Sequence, residues 1–509
     1  MAKDKSRTVK ALKALEEAQE LRLWRARGTP QVFADVLPRD SYPVGDERFL
    51  HWVLRYLWEK EGEAFLLRPE EWRMVQDGLR ALALRDGVEY PLFVRVGGAE
   101  GEIFWDLGPG QPVVKIYPGG WELVDSLDRL PLRFLRSAYM HPLPVPERAS
   151  PEEVFLLREL IPGMSGEGEE NFLLLLGWLL GTLNPEAPYP ILLLKGERGA
   201  GKTTTARVLK GLVDPHQVAS MAPSPDLRDL MVAARWSHVL VLDNVSNFNQ
   251  AMADALCRMA TGEALYLRRL YTDYQEEVVT YRRPLVMTSV VDPMSQPDLI
   301  DRTLSVELQR VPDTERLPEA EFWPRVEQLR PRIMGALLAL AAHALSRTDI
   351  PPFVPRMADF AVFAWRGLSA LGLGDAFLDA YERSRGLLEV AAIYDNPALS
   401  VLVDYIRRKF YFRGTAPELL EELELFAGYS KTAKPWGWPS SPRALGNLLA
   451  RFRGSLLALG IRLDRIHTRE GNVWEVFLAG EKKEEGAAQS ENVVQDDFEL
   501  PLPKRAATS

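Results

Sequence analysis

The sequence predicts a mixed α/β protein. Its central part is a parallel sheet covered by helices on both faces, with a smaller α+β region before it and a helix-rich domain closed by a β-hairpin after it. Three observations predict this. Four apolar residues, Ile191 to Leu194, run through Lys195 into the octapeptide Gly196-Glu-Arg-Gly-Ala-Gly-Lys-Thr203. A second apolar run, His238-Val-Leu-Val-Leu-Asp-Asn-Val245, delivers Asp243 to a strand end 41 residues after Lys202. Between about 151 and 345 short apolar runs alternate with helix-length periodic segments, as strands buried on both faces require.

Bulk composition sets the limits. With 46% hydrophobic and 26% charged residues in 509 positions, the chain is an ordinary globular sequence, with room for roughly three or four domains. The longest apolar stretch, Phe172 to Leu183, is interrupted by Gly177 and Gly181 and falls short of the ~20 residues a membrane span needs. No membrane segment is expected. The first residues, Met1-Ala-Lys-Asp-Lys-Ser-Arg7, contain no apolar run and so no secretory signal, which makes the cytoplasm the expected location. A lone Cys257 cannot form an internal disulfide, and six scattered histidines lack zinc-ligand spacing. A net charge of −9 argues against a uniformly basic nucleic-acid binder but allows one basic domain or pore.

Taken in order, residues 1–45 begin with an exposed helical arm to about residue 27, whose Val9, Leu12 and Leu15 form only a thin apolar stripe. Residues 46–150 form an α+β region: helices at Asp46 to Lys60 and Pro69 to Leu84, then period-two strands at 91–96, 102–107, 112–117 and 121–124 separated by glycine turns. That is an antiparallel meander. The connector His141-Pro-Leu-Pro-Val-Pro146 marks the boundary with the core at 151–345.

Within the core, Gly196, Glu197, Arg198, Gly199, Ala200 and Gly201 make the phosphate loop, and Lys202, Thr203 and Thr204 open the following helix. Glycines let backbone N–H groups curl around a triphosphate, and the helix N-terminus favours the same anion. Lys202 is expected to reach the β- and γ-phosphates of ATP, with Thr203 and Asp243 holding Mg²⁺. A possible strand at His216 to Met221 and a helix at Pro225 to Arg235 precede the Asp243 strand. Leu285 to Ser289 forms a third buried strand ending in Thr288, and Leu304 to Leu308 a fourth, directly preceded by Asp301-Arg302. Residues 264–270 and 276–282 pair as a hairpin about a Tyr271 to Tyr274 tip.

A helix at Pro331 to Leu345 ends the core, and helices within 346–395 form a lid, with Arg356 assigned to packing or a surface ion pair. Over 396–480 the order is helix (to about Phe410), helix (Ala416 to Phe426), helix (Pro442 to Leu459), then strands at Ile461 to Ile466 and Val473 to Leu478. That is the order of a winged helix. In its third helix Leu445, Leu448, Leu449, Phe452 and Leu456 face inward, leaving Arg443, Asn447 and Arg451 outside at four-residue intervals. This face fits a DNA groove, with Arg465 and Arg469 near the wing; a protein-contact role stays open. Residues 481–509 are polar and expected to be disordered.

Several motifs together resemble the superfamily 3-type AAA+ ATPases, the P-loop motor module of replication helicases in phages, plasmids and bacterial mobile elements. They are Pro190-x-Leu-Leu-Leu-x-Gly-Glu-x-Gly-x-Gly-Lys-Thr203, Asp229-Leu230, Asp243-Asn-Val-Ser246, Asp254 to Gly262, Arg269-Leu-Tyr-Thr-Asp273, Arg282-Arg-Pro284, Asp298-Leu-Ile-Asp-Arg302 and Arg356-Met-Ala-Asp-Phe360. The resemblance implies a homo-oligomeric ring, usually hexameric, with ATP between subunits. Arg302 then becomes the arginine finger for a neighbour's γ-phosphate, and Arg283 a candidate intersubunit sensor. The hairpin would line a channel, with Arg268, Arg269 and Tyr271 touching single-stranded or forked DNA. Two positions depart from the pattern: Asn244 stands where a second acidic residue is common, leaving the general base unassigned, and Thr288 where an Asn is usual. No Asp-x-Asp primase motif with a partnered His occurs in the N-terminal region, so priming would need a separate primase or polymerase. Two functions follow from the resemblance, a Mg²⁺-ATP-dependent replicative helicase and an ATP-switched DNA-binding or loader protein; a monomeric nucleotide-dependent scaffold is the third.

Overall fold

A computed structural model describes residues 2–62, 65–164, 169–224, 226–246, 248–263, 265–268, 276–279, 281–290, 296–430, 433–468 and 471–478. The chain divides into two units, Met1–Ser400 and Val401–Ser509.

The first residues depart from the expected exposed arm. A helix at Ala2–Glu16 buries Ala11 and Leu15 against the helix at Pro69–Asp86. The apolar stripe is thin, but it suffices because Gly78 on the partner helix lets Leu12 approach: a Cβ there would stand 2.7 Å from Leu12 Cδ1. Three unforeseen strands follow, Leu21–Ala26, Val32–Val36 and Asp40–Pro43, which pair antiparallel in sequence, while Val88–Tyr90 adds in parallel to the first. The last three strands of the expected meander are present as Glu102–Asp106, Val113–Tyr117 and Gly120–Val124, but its first strand is Val96–Ala99 rather than 91–96; Leu92–Phe93 instead pairs in parallel with Arg133–Phe134.

Arginine–carboxylate pairs stitch these parts together. Arg133 Nε donates to Asp35 Oδ2 at 2.6 Å, and Trp24 Nε1 to Asp35 Oδ1 at 2.7 Å. Arg136 grips both oxygens of Asp106 at 2.9 and 2.6 Å. Arg95, with a left-handed φ of +63°, pairs with Asp214 at 3.0 Å, both side chains fully buried. Its remaining N–H groups donate to the carbonyls of Asp106, His141 and Pro215. Asp214 also accepts from His238 N and Val239 N at 2.7 and 3.0 Å. Burial raises the Asp214 proton affinity, but Lys210 and Arg95 more than offset it, so the carboxylate stays ionised below its ordinary range.

The core sheet has four parallel strands, β1 (Ile191–Lys195), β2 (Leu240–Leu242), β3 (Leu285–Ser289) and β4 (Thr303–Glu307), in the order β2-β3-β1-β4. Residues 216–221, expected as a strand, make only isolated bridges at His216 and Met221, the latter parallel to Leu242. The helix expected at Pro331 to Leu345 starts earlier and spans Glu319–Ser346 with Pro324 and Pro331 inside it. Pro331 cannot donate, yet its carbonyl accepts from Glu147 N at 3.0 Å, which ties the connector to this helix. Helices at Ala358–Leu368 and Gly374–Asp395 close the first unit. Among the described residues no single helix is long and apolar enough to cross a membrane.

The helix that begins at Pro397 runs across the boundary into the second unit, ends at Lys409 and is followed by a strand at Tyr411–Thr415 that the sequence reading lacks. Helices at Ala416–Ala427 and Pro442–Arg451 come next, then a short Arg453–Ala458 helix and strands Ile461–Thr468 and Gly471–Leu478. The expected single helix at 442–459 is broken at Phe452, whose ψ of 14° leaves the helical range while its ring stays buried. The sheet order is 411–415, 471–478, 461–468, antiparallel throughout. Leu445, Leu449, Phe452 and Leu456 are buried, whereas Leu448 is only half-buried.

His238 gives the first unit an acid-sensitive point. Its ring lies fully buried with Nε2 donating to Thr182 O at 2.9 Å, and Nδ1 lacks a partner among the described residues. Burial first, and the Arg283 cation second, push its pKa from 6.5 down to about 4, against an opposing pull from Asp214. The unfolded chain therefore takes up this proton at a higher pH than the folded one. His238's contribution is complete above pH 6.5 and is lost as pH falls from 6.5 to about 4, a loss of about 3 kcal/mol at about 1.4 kcal/mol per pH unit. Thermal melts across that window should show this decline, and His238→Gln should flatten it.

Candidate functional site

The site is built on the carboxyl end of β1. Four fully buried aliphatic residues fix the strand, and Gly196, Gly199 and Gly201 take φ of +147°, +84° and +76° to turn the chain into the helix at Lys202–Val213. Neighbouring segments pack closely against the loop. A Cβ on Gly201 would stand 2.6 Å from Pro162 Cβ, and one on Gly163, itself at φ +76°, would stand 2.3 Å from Gln309 O. Lys202 Nζ donates to the carbonyls of Gly196 and Glu197 at 2.6 and 2.8 Å, across the mouth of its own loop. Partial burial lowers its proton affinity and Asp243 opposes that shift. Glu197, Arg198 and Thr203 are exposed, Thr204 is half-buried and Ala200 is buried.

Because β3 lies between β1 and β2, Asp243 is two strands away from the phosphate loop, and the gap is bridged by hydroxyls. Thr203 Oγ1 donates to Asp243 Oδ1 at 2.9 Å. Thr288, at the end of β3 and 1% exposed, donates to the same oxygen at 2.5 Å and accepts from Asn244 N at 2.8 Å. Thr288 thus orients the carboxylate. Asn244 holds a left-handed φ of +62°, a conformation Asn tolerates better than most residues, and its side chain is exposed. Asp243 and Thr203 together offer a carboxylate and a hydroxyl. That hard oxygen set suits Mg²⁺, which takes few protein ligands and completes its shell with phosphate and water.

The structure does not bring Arg302 or Arg283 to this constellation. β4 pairs with β1 so that Thr303 opposes Ile191 and Glu307 opposes Lys195, which leaves Arg302 at the far end of the sheet, roughly 20 Å along the strands from the loop. Its guanidinium is 14% exposed and donates to Asp298 O at 2.7 Å, and Arg356 pairs with Asp298 and Asp301 beside it. Arg283, at the start of β3, donates to the carbonyls of Ala234 and Arg282 at 2.7 and 3.0 Å and lies 5.3 Å from the Tyr281 ring centre. It ties the helix at Leu227–Trp236 to the sheet.

The hairpin is present as Leu265–Arg268 and Glu276–Val279, antiparallel, with Arg268 opposite Glu276. Arg269, Tyr271 and the Arg268 side chain lie outside the described residues. Arg443, Asn447 and Arg451 are all exposed on one helix, as their spacing predicts.

One feature of the site escaped sequence reasoning. A cavity of about 580 Å³ opens beside the phosphate loop, walled by Pro162, Met164, Leu317, Phe322 and Trp323 and floored by Thr204. The Arg207 guanidinium lies 4.5 Å from the centre of the Trp323 ring. The sequence signals were Pro162-Gly163 before β1 and the adjacent aromatic pair Phe322-Trp323, both far from any motif.

A phosphate loop on an inner strand of a parallel sheet, with a carboxylate held at the next strand but one, defines a P-loop α/β protein. The chain belongs to the replication-protein family of actinomycete integrative conjugative elements: the family's main model matches residues 161–389 and the model of its C-terminal domain residues 399–487, together more than half of the chain. No curated protein matches the sequence. Among solved structures, the apo C-terminal region of NrS-1 is similar at 12% identity, over 92% of this chain and 98% of that one, with a TM-score of 0.42. The active helicase Cch of SCCmec type IV is similar at 11% identity, over 88% and 90%, with a TM-score of 0.44.

The Thr288 hydroxyl makes two bonds in a dry setting. Thr288→Val, close to isosteric, leaves Asn244 N–H without its acceptor and should lower unfolding free energy by about 1–3 kcal/mol in urea titration, while Thr288→Ser should retain most of it.

Proposed function

We propose that this replication protein is a ring-forming, Mg²⁺-ATP-dependent DNA motor that acts as a helicase on single-stranded or forked DNA of the mobile element. The observation that carries the reading is the division of the machinery: Lys202, Thr203 and Asp243 converge at one end of the sheet, and Arg302 stands at the other. An arginine so placed cannot reach ATP on its own loop. It suits a neighbour's γ-phosphate, where it would neutralise charge in the transition state. ATP would lie with its phosphates in the loop from Gly196 to Thr204 and its base in the cavity walled by Phe322 and Trp323. Thr203 and Asp243 would hold Mg²⁺, which when bound polarises the phosphates. Thr288 fixes the carboxylate, Lys202 moves from its loop carbonyls to the phosphates, and Arg283 acts structurally at the strand start.

The helix, strand, helix, helix, short helix, strand, strand order of the second unit supports a winged helix whose Arg443, Asn447 and Arg451 face enters a DNA groove. The hairpin carrying Arg268, Arg269 and Tyr271 is assigned to a channel grip. A hexamer is the expected assembly, with priming left to a separate primase or polymerase. The domain scheme keeps 151–345 as motor core, 346–395 as lid and 396–480 as DNA-binding domain.

A second reading is favoured by one observation. Asn244 stands exposed beside Asp243 where a carboxylate would accept the proton of an attacking water. An ATP-switched loader that assembles on DNA with little turnover would be built this way.

Turnover separates the two. The motor reading expects DNA-stimulated ATP hydrolysis and duplex separation, with Lys202→Ala lowering hydrolysis by about two to three orders of magnitude. Arg302→Ala should be as inactive alone, yet mixing it with Lys202→Ala should restore part of the hydrolysis, since some interfaces then receive an intact loop and an intact finger. Absence of rescue, or full activity of Arg302→Ala, contradicts the trans role.

A further inference from the structure

Trp436 is the most exposed large apolar side chain among the described residues, at 96%. It is not on a frayed end. Trp438 N donates to Pro435 O at 3.1 Å and Gly437 takes φ +88°, which makes Pro435–Trp438 a type II turn with Trp436 at its corner. The turn is anchored from behind. The Trp438 ring is buried edge-on against Tyr429 at 4.9 Å, its Nε1 donates to Glu424 Oε1 at 3.3 Å, and Lys434 donates to the same oxygen. A second indole two residues away is thus fully used for packing, while Trp436 packs on almost nothing. Three residues after the turn ends at Trp438, Ser441 caps the helix that presents Arg443, Asn447 and Arg451.

Charge indicates what such a ring meets. Residues 431–463 contain six Lys and Arg and no Asp or Glu, in a chain whose net charge is −9. A rigid aromatic corner directly ahead of a cationic helix matches nucleic acid, in which phosphates meet the arginines and an unpaired base offers a flat face for stacking.

We propose that Trp436 stacks on an unpaired base where single-stranded and duplex DNA meet, while the Arg443, Asn447 and Arg451 face holds the adjoining duplex. This rests on the reading of the second unit as a DNA-binding domain. It adds to that reading a preference for junctions over plain duplex.

The test uses the full chain, fluorescence anisotropy at fixed salt, and two DNAs: a blunt duplex and a fork on the same duplex with 2-aminopurine as the first unpaired base. Trp436→Ala should weaken fork binding by about tenfold and duplex binding by less than about twofold, with Trp436→Phe within about threefold of the parent on both. Stacking should quench 2-aminopurine in the parent and in Trp436→Phe but not in Trp436→Ala. The Arg443→Ala/Arg451→Ala double variant should weaken both DNAs. If Trp436→Ala binds the fork like the parent while the double arginine variant is weakened, stacking is refuted and the DNA-binding domain stands. If neither variant changes binding to either DNA, the domain reading fails and the stacking role with it. If Trp436→Ala leaves DNA binding intact but alters sedimentation, the indole is a protein contact and the proposal is overturned.

Discussion

Parallel pairing of β4 with β1 is the constraint on which the rest depends. Strands that run the same way put the phosphate loop at one end of the strands and the residue preceding β4 at the other, so a single copy of the chain cannot bring Arg302 to its own Lys202. The order β2-β3-β1-β4 then places Thr288 between loop and acid, where one hydroxyl orients Asp243 and anchors Asn244 N. The site is therefore well ordered as it stands: loop, helix, carboxylate and adjoining cavity are all fixed within the first unit.

The helix that starts at Lys202 is held at its other end by charges out of water. Asp214, directly after that helix, joins Arg95 from the meander region to the backbone at His238 and Val239 just before β2. Buried pairs of this kind add little net stability compared with an apolar core, but removing one partner strands the other. Their effect here is registry. Movement of the N-terminal region relative to β2 would have to break bonds at the base of the phosphate-loop helix, so that region is mechanically connected to the site without contributing a residue to it.

Local chemistry explains what was legible in the sequence. The octapeptide, the Asp243 strand, the meander and the exposed arginine spacing on the Pro442–Arg451 helix each depend on residues adjacent in the chain, and each was readable. What escaped depends on partners far away. The alternation in Leu21-Arg-Leu-Trp-Arg-Ala26 was masked by its charges, and Ala11 and Leu15 could be placed inside only once Gly78 was known to let the neighbouring Leu12 approach. The strand at Tyr411–Thr415 is short and carries Gly414, so only its partner at Gly471–Leu478 makes it a strand. The packing of Arg283 was not legible either, because the Ala234 carbonyl it bonds lies 49 residues away in the chain. The cavity beside the loop draws its walls from 162–164 and 317–323, segments that the fold alone brings together.

Sedimentation of the purified chain with a non-hydrolysable ATP analogue, Mg²⁺ and forked DNA tests the central claim most directly. A site completed by a second copy predicts nucleotide-dependent assembly into closed oligomers, reduced by Arg302→Ala while the analogue still binds. A chain that binds the analogue yet stays monomeric at every concentration would contradict it.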